Sequence, residues 1–177
     1  SNAASFTFGA GDTLSVAANV VGGATSGGAS VGGDAINASA ATNSGSDVLN
    51  LSFEAASNVT GGGNGGGTSG IGLNATSVET INISTASATA DVVFAGGLAG
   101  GGVAGGSVSV GANAKINVTG AGDVNLGTIV TQGVAVDDLT IDGSKMTGVL
   151  TVTTGAGNDI ITGGSKADVI TAGTGTN

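Results

Sequence analysis

Three residues near the end of the chain, Asp159, Asp168 and Asn177, stand nine apart in each step. Each sits in a Gly-rich stretch: TGAGNDIIT from Thr154, GGSKADVIT from Gly163 and AGTGTN from Ala172. The spacing suits oxygen-based metal chemistry. Six residues of turn expose backbone carbonyls and one side-chain oxygen, and three residues of strand carry Ile161 or Ile170 toward a core. Two such units complete one circuit, so positions 18 apart are expected to lie above one another. Calcium is a hard cation that takes about six to eight oxygens at roughly 2.3–2.6 Å. One turn cannot supply that number. Two stacked turns can, each giving glycine carbonyls and an Asp. Glycine is needed where a turn requires backbone angles that other residues resist and where carbonyls approach closely.

The candidate calcium ligands are therefore Gly155, Gly157, Asp159, Gly164, Asp168, Gly173, Gly175 and Asn177. Asp159 and Asn177 would flank one site, with Asp168 on the opposite edge. Thr154 stands at the first glycine position of its unit, and Lys166 at the third glycine position of the next. The same residues also read as a structural Gly/Asp turn that holds no metal, since only about one circuit of the pattern is present. Upstream, Asp12, Asp47 and Asp123 lack a partner 9 or 18 residues away and read as solvated turn aspartates. Asp137, Asp138 and Asp142 form a small acidic cluster, with Asp142 placed to face the Asp159 circuit.

Turns of this kind need strands to hold them apart, and the chain supplies strand-like runs throughout. They fall at Thr13–Val21, Asp47–Phe53, Val78–Ser84, Asp91–Phe94, Ser107–Val110, Lys115–Thr119, Leu139–Asp142, Val149–Thr153, Asp159–Thr162 and Asp168–Thr171. Many alternate strictly: ETINIS and KINVTG put Ile or Val on one face and Asn, Thr or Ser on the other. Period-2 alternation with β-branched enrichment is the strand signature, and no segment shows a 3.6-residue apolar period. Segments of the form G-x-G-(x)-D followed by apolar residues recur near Gly9, Gly45, Gly120 and Gly155. Their aspartates, Asp12, Asp47, Asp123 and Asp159, are about 35 residues apart with one interval doubled, and Asp91 falls inside it. Self-similarity at such a period points to a stacked repeat. The expected fold is all-β, a mostly parallel β-solenoid with Gly-rich loops at Gly22–Gly33, Gly61–Gly72 and Gly96–Gly106.

Composition agrees. Gly accounts for 37 of 177 residues, aromatics for 2%, and charged residues for 8%, against roughly 25% in ordinary domains. Such a chain cannot build a thick core, but it suits rows of small stacked side chains. At 40% hydrophobic it is too apolar for whole-chain disorder. Twelve acidic residues oppose Lys115, Lys145 and Lys166, giving net charge −9, which argues against nucleic-acid binding. The most apolar run, Val92–Gly106, is too short and too Gly-rich for a membrane helix, so no direct membrane insertion is expected. With no His, Cys, Tyr or Arg, the plentiful Ser and Thr have no base of the usual kind beyond carboxylates or Lys, and no catalytic residue is assigned. Ser1–Ala3 reads as the remnant of an expression tag.

The tail resembles the RTX family, whose nonapeptide consensus is GGxGxDxUx, with U a large aliphatic residue. SGSDVLNL (Ser44–Leu51), SVETINIS (Ser77–Ser84) and LTIDGSKMTGVLTVTTGAGNDIITGG (Leu139–Gly164) resemble segments of RTX-type S-layer proteins of Gram-negative bacteria and of related large surface adhesins. The resemblance implies type I secretion, folding in extracellular calcium, and self-association in a surface lattice. It divides the chain into residues 1–3 (tag remnant), 4–153 (solenoid-like surface module) and 154–177 (start of the calcium-binding repeats). Two other roles stay open: a spacer or binding segment of a large RTX adhesin, and the RTX appendage of a secreted enzyme whose catalytic domain lies elsewhere.

Overall fold

The computed structural model describes residues 4–8, 13–17, 36–40, 46–60, 72–95, 108–131 and 138–177. The expected tag remnant, Gly22–Gly33, Gly96–Gly106, all of Gly61–Gly72 but Gly72, and Asp12 and Asp137 lie outside the described residues. Within them the chain is all strand, with no helix. It begins with β1 (Ala4–Phe8), β2 (Thr13–Ala17), β3 (Ile36–Ala40), β4 (Val48–Phe53) and β5 (Ser57–Thr60). It continues with β6 (Leu73–Ala75), β7 (Thr80–Thr85), β8 (Val92–Ala95), β9 (Val108–Val110) and β10 (Lys115–Gly120). Then follow β11 (Val124–Thr131), β12 (Thr140–Met146), β13 (Leu150–Thr153), β14 (Ile160–Thr162) and β15 (Val169–Thr171).

Every ladder is parallel. One sheet has six strands in the order β14-β12-β10-β7-β4-β2; the other has nine, along the path β1-β3-β6-β9-β11-β13-β15 with β8 and β5 branching from β11. The branch has a local cause. Val124 and Asn125 of β11 pair with β8, while Ile129 to Thr131 pair with β9. Between them the register breaks at Gly127, whose φ is 61°.

Alternation builds the core. In β4 and β7 every second residue is buried, so Leu49, Leu51 and Phe53 lie against Ile81, Ile83 and Thr85 in register. The rows continue through Ile116 and Val118 of β10 and Ile141 of β12. Each such aliphatic contributes about 1.5–3 kcal/mol by leaving water. Phe53 also meets Phe94 of β8 edge-on, with ring centroids 6.0 Å apart at 84°. Where Thr85 turns inward its hydroxyl accepts the Gly122 N–H at 2.9 Å, and a Cβ on Gly120, at φ 114°, would collide with Thr85.

The outward rows are polar. Asn50, Asn82 and Asn117 stack across β4, β7 and β10, each amide donating to the one before at 2.7 Å. Their separations along the chain, 32 and 35 residues, measure one pass through the sheets. The pass then shortens: Asp123 bonds 26 residues ahead, Leu139 20 ahead, and Asp159 18 ahead. Passes near 35 residues carry three strands, as β6, β7 and β8 do; the later ones carry two, as β14 and β15 do.

Candidate metal centre

In the tail, strands of three to four residues alternate with six-residue turns, because each apolar pair is followed by glycines that end the strand. Thr151, Val152 and Thr153 of β13 pair with Val169, Ile170 and Thr171 of β15, so residues 18 apart are neighbours and two nine-residue units complete one pass. The turn at 154–159 consequently lies on the turn at 172–177. Gly157 N–H donates to the Thr174 carbonyl at 2.9 Å, and Thr154 N–H to the Thr171 carbonyl at 3.0 Å. The contact is close enough that a Cβ on Gly173 would strike the Gly155 carbonyl, and one on Gly175 the Gly157 carbonyl.

Of the eight expected ligands, six gather at this corner: Gly155, Gly157 and Asp159 from one turn, and Gly173, Gly175 and Asn177 from the next. Asn177 Oδ1 accepts the Asp159 N–H at 2.8 Å. Gly164 and Asp168 belong to the other turn. There, Asp168 spends both carboxylate oxygens on backbone donors, Leu150 N–H at 2.8 Å and Gly164 N–H at 2.6 Å.

Asp159 differs. It is 3% exposed; its Oδ1 accepts the Leu139 N–H at 3.0 Å, and its Oδ2 is buried without a hydrogen-bond partner. Leaving a carboxylate oxygen buried and unpaired costs its desolvation, about 1–3 kcal/mol and more when it is charged. A cation is one group that would satisfy it. Among the described residues no three His, Cys, Asp or Glu side chains come together. The groups at the corner are oxygen donors, the Asp159 carboxylate and the carbonyls of stacked glycine turns with the Asp138 carboxylate nearby, a set of the kind that suits calcium rather than a softer metal. Gly155, Gly157 and Asp159 are the residues that would hold it.

The upstream carboxylates have a structural role that their spacing hides. Asp47 is fully buried rather than solvated, and its N–H donates to Glu79 Oε2 at 2.9 Å. Asp123 is exposed, yet it accepts the Val149 N–H at 2.8 Å, and its own N–H donates to Asp91 at 2.9 Å. Asp142 pairs with Thr162 on β14, on the strand of the Asp159 circuit; the acidic residue at the turn of that circuit is Asp138, which accepts the Asn158 N–H at 2.7 Å. Glu79 has no place in the sequence reading, and Asp138 enters it only as one member of the acidic cluster. The available signal was an acidic residue just before a β-branched run.

Compared with known proteins, the chain matches no family model, no curated protein and no solved structure.

Proposed function

We propose that the chain is a β-solenoid that serves as a structural module of a secreted bacterial cell-surface protein of the S-layer type, folded and assembled with the help of calcium. The observation that carries this reading is the stack of two six-residue turns, 154–159 and 172–177, with the buried, unpartnered Asp159 Oδ2 beside it. Parallel pairing of each pass on the one before, in register, is what a solenoid requires.

The residues then have distinct jobs. Gly173 and Gly175 allow the turns to approach, since a Cβ on either would strike a carbonyl of the turn at 154–159. Asp159 ties its pass to the preceding one through Leu139. Asn177 repeats that tie one pass later. When bound, calcium supplies the positive charge that neutralises Asp159. Because the stacked turns do not exist in the unfolded chain, binding free energy becomes folding free energy. The outward faces of the sheets, made of Asn, Ser and Thr, suit lateral contact between copies.

Analytical ultracentrifugation over rising protein concentration, with millimolar calcium or with chelator, tests the assembly. Calcium-dependent association is expected. A chain that stays monomeric in both conditions contradicts a lattice role.

A further inference from the structure

In a chain of net charge −9 with three lysines, the fold brings two of those lysines to one cleft. The cause is a β-bulge in β12. Asp142 pairs with Asn117 and Lys145 with Thr119, so Gly143 and Ser144 together oppose the single Val118. Strict alternation from Asp142 would turn Lys145 toward the core. The extra residue instead leaves it exposed, in the outward row of Ser84 and Thr119, and returns Met146 to the interior. Bulges concentrate where a side chain must be re-aimed for function. Lys115 enters the same outer face at the start of β10.

Lys115, Lys145, Asp142, Asn82 and Asn117 line an open cleft of about 360 Å³, within the roughly 300–1,000 Å³ typical of small-molecule sites. Its polar groups are already oriented. The Asn ladder uses one hydrogen of each amide at Asn82 and Asn117 and leaves the second for a ligand. Asp142 is held by the Ser144 N–H at 3.0 Å. The Ser144 hydroxyl and N–H, with Lys115 and Lys145 nearby, hold its carboxyl below the ordinary range, so it is ionised and accepts hydrogen bonds.

The chemistry of the occupant follows from these groups. Two ammonium groups call for negative charge. Fixed amides and a carboxylate acceptor call for hydroxyls, which donate and accept. A bare phosphate would meet the lysines but be repelled by Asp142, and a neutral sugar would leave the lysines unpaired. We propose that this cleft on the outer face of the six-stranded sheet binds an acidic saccharide, one that carries a carboxylate among its hydroxyls.

The test is calorimetric titration of the full chain, at one fixed calcium concentration, with trigalacturonic acid, the neutral galactose trisaccharide and inorganic phosphate. Trigalacturonic acid is expected to bind saturably and one-to-one, and the other two far more weakly. The double variant Lys115→Gln/Lys145→Gln should weaken that binding by at least about tenfold, two charge-assisted contacts being lost, with an unchanged melting temperature. Lys166→Gln, an exposed lysine outside the cleft, should bind as the parent does. The proposal is overturned if no saccharide binds, if phosphate or the neutral sugar binds equally well, or if Lys166→Gln weakens binding as much as the double variant.

Discussion

Asp159 reaches back 20 residues to accept the Leu139 N–H at 3.0 Å, while its second carboxylate oxygen stays buried and unpaired. One half of this side chain is explained by the fold and the other half is not. That division separates the candidate metal corner from the other carboxylates on the strand starts.

Replacing Asp159 by Ala and Asp47 by Ala should therefore give different signatures. Both positions are buried, and each substitution should cost about 1–3 kcal/mol in chelator. Only Asp159→Ala should also abolish the stabilisation gained from calcium. Urea melts with and without the ion make the comparison, and equal loss of the calcium gain in both variants would defeat the assignment.

Two glycines distinguish the core from the tail. Gly120→Ala introduces a side chain at φ 114° against Thr85, and the backbone strain alone should cost about 1–3 kcal/mol of global stability. Gly173→Ala pushes from the last turn on the Gly155 and Thr154 carbonyls of the turn stacked on it. It should leave the main transition in place and remove the calcium response. A Gly173→Ala protein that melts like Gly120→Ala would show that the tail and the core unfold as one unit.

Asp142 gives a pH dependence of known sign. Its pKa lies below the ordinary 3.8, first because of the Ser144 hydroxyl, then the Ser144 N–H, and least because of Lys115 and Lys145. A depressed folded pKa contributes stability that is present above the unfolded value and lost as pH falls through the folded one. Carboxyl NMR titration should place the Asp142 midpoint below 3.8, and Ser144→Ala should raise it. A midpoint unmoved by Ser144→Ala would contradict the cause.

Much of this architecture could be read from alternation. ETINIS became β7, KINVTG became β10, and the nine-residue step became the 18-residue pairing of β13 with β15. Other parts could not. Ala4–Phe8, Ile36–Ala40, Ser57–Thr60 and Leu73–Ala75 are strands too short, or too poor in β-branched residues, to stand out beside glycine. Val124–Thr131 does not stand out either, because Gly127 interrupts its alternation. Leu139–Asp142 was cut short because Asp142-Gly143 reads as a turn, whereas it opens a bulge and the strand runs on to Met146. The aspartates that spacing groups into one series about 35 residues apart belong to two. Asp47 and Asp159 precede strands of the six-stranded sheet, and Asp91 and Asp123 precede strands of the nine-stranded one. Spacing alone mixes them, because the length of each pass changes along the chain. The unpaired oxygen of Asp159 depends on what lies 20 residues away and has no local signature.

The most direct measurement of the central claim is a far-UV circular dichroism melt of the chain in millimolar calcium and again in chelator. Calcium acting at the stacked turns should raise the folded fraction and the melting temperature, and the increase should vanish in Asp159→Ala. Superimposable melts in calcium and chelator would contradict a metal role for this chain.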